Sequence, residues 1–182
     1  DPAAEPKKFR PLVLPDALAA RPISFGGGIM VPSRVGQIFV LDPRGGGNLL
    51  EPFQPQLGGG SRPEWTSPVD AGEQAALLCD GRRTIYRLAA KQDPKPHLAA
   101  LDKVELDAGV ASSPAVVAQT AFVVDEKDNL RAMALPKLTP GKTSPLGGKC
   151  IWGPCGAGER LFAANDEDKL LCFDAEGTQL WQ

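Results

Sequence analysis

The chain has 182 residues, enough to bury a sizeable core in one domain, and its 20 basic and 22 acidic side chains leave a net charge of −2. So weak a field gives nothing to draw in DNA, RNA or an anionic membrane, and nucleic acid is excluded as an expected partner. No apolar run approaches the roughly 20 residues a membrane-crossing helix needs, and the opening "DPAAEPKKFR" lacks the apolar centre of a signal peptide.

That opening is rich in Pro and Ala and carries no initiator Met, as expected of a processed or excised piece of a longer protein. Residues 1–20 read as a linker, and "FRPLVLP" within them as an outer strand of a preceding unit or a clasp for the last one. Glycine (20) and proline (18) punctuate the chain too often for long helices. Short strands joined by turns are predicted instead.

From residue 21 onward the chain repeats. Four polar residues at predicted tight turns, Ser33, Asp80, Asp125 and Asn165, are separated by 47, 45 and 40 residues. Eleven or twelve positions before each anchor lies a proline: Pro22, Pro68, Pro114 and Pro154, preceded by Arg21, Ser67, Ser113 and Gly153. Three before each anchor sits a large apolar residue (Met30, Leu77, Phe122, Phe162), and five after comes Ile38, Ile85, Leu130 or Leu170.

The third unit, "SSPAVVAQTAFVVDEKDNLRAMAL", shows the pattern best. Pro114 cannot donate to a ladder and belongs at a strand start, so Ala115 to Val117 is predicted as an inner strand. Ala121 to Val124 follows after a turn, "DEKDN" closes a polar hairpin, and Leu130 to Leu135 alternates as a third strand. "GNLLEPF", "KPHLAALDKVEL" and "TQLWQ" supply fourth, outer strands in the other units. Four antiparallel strands per 40 to 47 residues predict an all-β propeller of about four blades, near 21–64, 65–110, 111–150 and 151–182.

The last unit ends "LLCFDAEGTQLW", which resembles the repeat of pyrroloquinoline-quinone (quinoprotein)-like β-propellers, where a strand ending in Ala-x-Asp leads through a Thr-Gly turn to a Trp. Asp174 and Trp181 match, with Gly177 and Thr178 in inverted order. The first unit keeps Asp42 and a glycine turn, while the second and third lack both Asp and Trp. The resemblance implies that Trp181 docks between neighbouring blades as a packing residue. It also implies a ring of seven or eight blades, against the four of this chain. A compact four-bladed ring, half of a ring completed by a second copy, and a fragment of a longer chain all follow, and an open ring with exposed apolar faces would make a homodimer.

The catalytic members of that family hold their quinone between a Trp and two adjacent cysteines, beside calcium and a catalytic Asp. Cys79, Cys150, Cys155 and Cys172 are all separate, so the expectation is a non-catalytic member with no cofactor. His97 is the only histidine, too little for a His-rich metal site or a Ser-His-Asp relay. "CIWGPC" is looser than a zinc C-x-x-C, Cys79 and Cys172 read as buried strand residues, and a disulfide from Cys150 or Cys155 stays open. The acidic turns "DEKDN" and "NDEDK" lack the glycine of a calcium loop, and "FGGGIMVPSRVGQ" lacks the Lys and helix of a phosphate loop. No catalytic constellation emerges. By resemblance the chain is expected to be a protein-interaction or ligand-sensing module of a larger bacterial-envelope or other periplasmic, extracytoplasmic protein, binding an unknown protein or small ligand on a ring face. A quinone-dehydrogenase remnant and a four-bladed carbohydrate-binding or structural domain are the alternatives.

Overall fold

The computed structural model describes residues 13–56 and 62–182. Among them there is no helix, and so none long and apolar enough to cross a membrane. Fifteen strands form four antiparallel sheets, the blades of a four-blade β-propeller. Blade I holds β1 (Ile23–Phe25), β2 (Gly28–Pro32) and β3 (Ile38–Leu41); blade II holds β4 (Val69–Asp70), β5 (Ala75–Cys79), β6 (Thr84–Lys91) and β7 (His97–Glu105). Blade III holds β8 (Ala115–Val117), β9 (Thr120–Val124), β10 (Asn129–Ala134) and β11 (Thr139–Pro145). Blade IV holds β12 (Cys150–Ala157), β13 (Arg160–Asn165), β14 (Leu170–Phe173) and β15 (Gln179–Trp181). Each sheet runs as a meander in sequence order, so every strand pairs with its chain neighbour. Among the described residues blade I has no full fourth strand. The "GNLLEPF" segment touches β3 only through isolated bridges, Asn48 to Leu41 and Phe53 to Ile38.

The turn anchors take the place the repeat assigns them. The N–H of each anchor donates to the C=O four residues on: Ser33 to Gln37, Asp80 to Thr84, Asp125 to Asn129 and Asn165 to Lys169, at 2.9 to 3.1 Å. The side-chain oxygen of each anchor accepts a backbone N–H in return, so one polar atom closes the hairpin. Asp174 builds the same device one hairpin later, accepting from Glu176 and Thr178, and Gly177 there adopts φ 83°. An L-residue is disfavoured at that dihedral, which accounts for the glycine.

Pro22, Pro68 and Pro114 immediately precede β1, β4 and β8, as the missing N–H requires. Pro154 does not begin a strand. It lies inside β12, in a register shift between Trp152 and Cys155, because the strand starts at Cys150 and absorbs the proline in a bulge.

The core is three junctions between successive blades. Met30, Ile38 and Val40 of blade I meet Leu78 and Leu88 of blade II. Leu77 and Ile85 of blade II meet Val123 and Met133 of blade III, and Phe122 and Leu130 of blade III meet Ala163 and Phe173 of blade IV. The tryptophan docked between blades is Trp65, 3% exposed, with its ring centroid 5.7 Å from Tyr86 and 6.3 Å from Phe53. Trp181 is instead 50% exposed. The resemblance placed it between blades, but no blade of the described chain lies beyond β15, and its ring lies tilted against that of Phe162 at 6.0 Å. The outer-strand or clasp reading of residues 9–15 falls largely outside the described residues. Residues 17–19 run beside the turn of blade I, with the N–H of Ala19 donating to the C=O of Pro32.

Candidate functional site: the axial cleft

The segments that lead into β1, β4 and β8 meet the start of β12 at a cleft of about 750 Å³. Its lining follows from the repeat: Arg21, Ser67, Ser113 and Gly153, each the residue before a repeat proline, all face it. Proline cannot donate, so in the first three blades the residue before it offers the last free N–H ahead of the inner strand. The Arg21 N–H donates to Ser67 Oγ and the Ser67 N–H to Ser113 Oγ, both at 3.2 Å, so a serine ladder crosses three blades. Gly153 has no hydroxyl, and the ladder stops at blade IV.

The far wall is formed by the turn of blade III and the bulged start of β12. Asp128, at φ 58°, accepts the Cys150 N–H on Oδ1 at 2.8 Å, which ties β12 to the preceding blade. Glu126 and Asp128 bring negative charge, Lys149 and Arg21 positive charge. Ile151 and Trp152 project from the bulge 62% and 51% exposed. A wide cleft with both charge signs and a protruding indole suits an extended polar chain or a ligand with an apolar face.

The cysteines divide by place. All four are free thiols. Cys150 and Cys155 line the cleft, and burial, with the Asp128 charge adding to it, raises the Cys150 thiol above its ordinary value despite the contact with the Trp152 carbonyl. A thiol shifted that way is protonated at neutral pH and a poor nucleophile. Cys79 and Cys172 lie buried in β5 and β14, the setting the sequence predicts, and burial pushes Cys79 up to about 12. His97 sits at the start of β7, away from the cleft, its Nδ1 2.8 Å from the Lys95 carbonyl. Among the described residues no three His, Cys, Asp or Glu side chains converge to hold a metal. The turns "DEKDN" and "NDEDK" spend the Asp125 and Asn165 oxygens on backbone N–H groups.

The grouping of the cleft was only half legible. Arg21, Ser67, Ser113 and Gly153 share a repeat position, but Glu126, Asp128 and Trp152 enter through blade packing and the β12 bulge, which no local pattern marks.

No protein-family model and no curated protein sequence matches the chain. Solved structures do match its fold. BamB from Moraxella catarrhalis superposes with a TM-score of 0.63 at 15% identity, over 92% of this chain and 52% of that one. The BBS1N chain in complex with ARL6DN gives 0.62 at 13%, over 88% and 51%. The computationally designed Ika4 protein gives 0.61 at 11%, over 91% and 98%. This chain therefore spans about half the length of the BamB and BBS1N chains and nearly all of Ika4.

Proposed function

We propose that this chain is a non-catalytic propeller scaffold of the quinoprotein-like kind, which binds a protein segment or ligand in the axial cleft and serves within a larger extracytoplasmic protein. The observation that carries the reading is the cleft itself: an open groove with side chains of both charge signs and the half-exposed Trp152 at its wall. Exposed aromatic side chains beside polar groups are the usual energetic centres of recognition surfaces. The cleft offers no activated nucleophile paired with a base, and its Cys150 thiol is held in the protonated form. The BBS1N propeller, solved with ARL6DN, is a protein of the same fold carrying a protein partner.

The test is site-directed photo-crosslinking in extracts of the source cell. A benzophenone side chain replaces Ser113 in the cleft or, as control, Lys91 on blade II. The reading predicts a discrete adduct from the Ser113 probe alone, competed by unlabelled chain and lost when Trp152→Ala is added. Equal labelling from both positions, or an adduct indifferent to Trp152→Ala, would overturn it. Dye-linked alcohol oxidation after incubation with quinone and calcium would decide for the dehydrogenase remnant instead.

A further inference from the structure

Blade IV departs from a hydrogen-bonding pattern that the first three blades share. The residue before a repeat proline sends its N–H to the hydroxyl at the same position of the next blade: Arg21 to Ser67 and Ser67 to Ser113, both at 3.2 Å. Ser113 is the next donor in that series, and the residue at the receiving position is Gly153. Among the described residues no acceptor meets the Ser113 N–H. Ser113 is exposed and lines the cleft, so a ligand can reach it.

The preceding position changes as well. Thr66 and Ser112 turn their hydroxyl oxygens to the N–H groups of Cys79 and Val124, at 2.9 and 2.8 Å. In blade IV that position is Trp152, which pairs with Ala164 of β13. Blade IV thus puts an indole and a glycine where blades II and III have Thr66-Ser67 and Ser112-Ser113.

The chain cannot fill the gap itself. Gly153 adopts φ 94°, and a Cβ there would stand 2.7 Å from the Phe162 carbonyl oxygen and 3.0 Å from the Ala163 Cα. A side chain at 153 would meet backbone, which cannot swing aside. The edge of β8 is closed too, because β12 lies against it: a Cβ on Gly156 would stand 2.9 Å from the Val116 carbonyl oxygen. What stays accessible is one backbone donor in the same cleft as a half-exposed indole.

We infer that an extended peptide segment of a partner protein completes the ladder. One of its main-chain carbonyl oxygens accepts the Ser113 N–H where a hydroxyl stands in the other blades, and an apolar side chain packs on Trp152. Charge selects a peptide over other oxygen-bearing ligands. Arg21, Lys149 and Glu126 line the cleft, and among the described residues none of them is in an ion pair. A neutral sugar would leave both signs unanswered, and a phosphate would face Glu126. A polypeptide offers carbonyl acceptors, apolar side chains and both charge signs along one strand. This inference rests on the cleft-binding reading and names its ligand.

A phage library of random dodecapeptides, selected against the immobilised 182-residue chain, supplies the probes. Two variants isolate the donor: Ser113→Ala, and the backbone ester made by placing lactic acid at position 113, which has the same side chain and no N–H. Since that N–H bonds no described residue of the free chain, both are expected to melt at the same temperature. The ester is expected to bind the selected peptides about three- to tenfold more weakly than Ser113→Ala, the loss of one hydrogen bond. Trp152→Ala is expected to weaken them as well. In the unaltered chain the Ser113 amide proton is expected to move downfield in NMR spectra as peptide is added, a readout that needs no variant. No peptide selected, equal binding to the two position-113 variants, or an unmoved Ser113 amide signal would each overturn the inference. An oligosaccharide that binds through Trp152 where no peptide does would overturn the peptide and leave the cleft-binding reading standing. Peptides indifferent to both the ester and Trp152→Ala would overturn both.

Discussion

Replacing Asp125 separates the two tasks of the turn anchor. Its carboxylate is fully buried; Oδ1 accepts the N–H groups of Lys127 and Asn129 at 2.9 Å, and Oδ2 accepts the Arg131 Nε–H at 2.7 Å. Asp125→Ala orphans two backbone donors and leaves Arg131, 19% exposed, with only the exposed Asp107 as a carboxylate partner. Breaking a buried pair from one side costs about 3 to 5 kcal/mol. Asp125→Asn keeps an acceptor for the backbone, as Asn165 does in blade IV, where the residue at the position of Arg131 is Leu171. Its cost is confined to the charge-assisted contact, about 1.5 to 3 kcal/mol. Burial alone would raise this carboxyl, but the Asn129 N–H, the Arg131 guanidinium and the Lys127 N–H outweigh it and hold it below the ordinary 3.8. A depressed folded value stabilises fully above the unfolded value near 3.8 and loses that stabilisation as pH falls through the folded value. Urea denaturation at neutral and acid pH reads both effects. The reasoning fails if Asn costs as much as Ala at neutral pH, or if Asp125→Asn keeps the wild-type acid dependence in this range.

A thiol reagent is expected to modify Cys155 fast and Cys150 slowly, and to reach Cys79 and Cys172 only on unfolding; four fast thiols would contradict the burial assigned to β5 and β14. Trp181→Ala is expected to cost less than about 1.5 kcal/mol in the single chain, since half of the ring is already in water. Trp65→Ala, which empties the junction of blades I and II, is expected to cost about 3 to 5 kcal/mol. Thermal melts that reverse that order would restore the interblade role to Trp181.

What the sequence disclosed is what short-range chemistry decides. Ser33, Asp80, Asp125 and Asn165 close their own hairpins with their own side chains, so spacing alone located them. Pro22, Pro68 and Pro114 mark strand starts because a missing N–H is a local fact. Pro154 misled because the bulge in β12 depends on what β13 and blade III accept. The exposure of Trp181 is decided at longer range: among the described residues no blade packs beyond β15, and the ring stands half in water. Arg87, buried at 5% exposure between Glu73 and Asp102, falls at none of the repeat positions, and only the packing around β6 encloses it.

The most direct test of the blade register is the stability cost of truncating the four equivalent trailing-face residues, Ile38→Ala, Ile85→Ala, Leu130→Ala and Leu170→Ala, at a concentration where the chain is single. Three fully buried side chains should each cost about 2 to 5 kcal/mol, and Leu170→Ala less than about 1 kcal/mol, because its face is open to water. A Leu170→Ala loss equal to that of Leu130→Ala, or a negligible loss at any of the other three, would contradict a four-blade series that ends in an uncovered face.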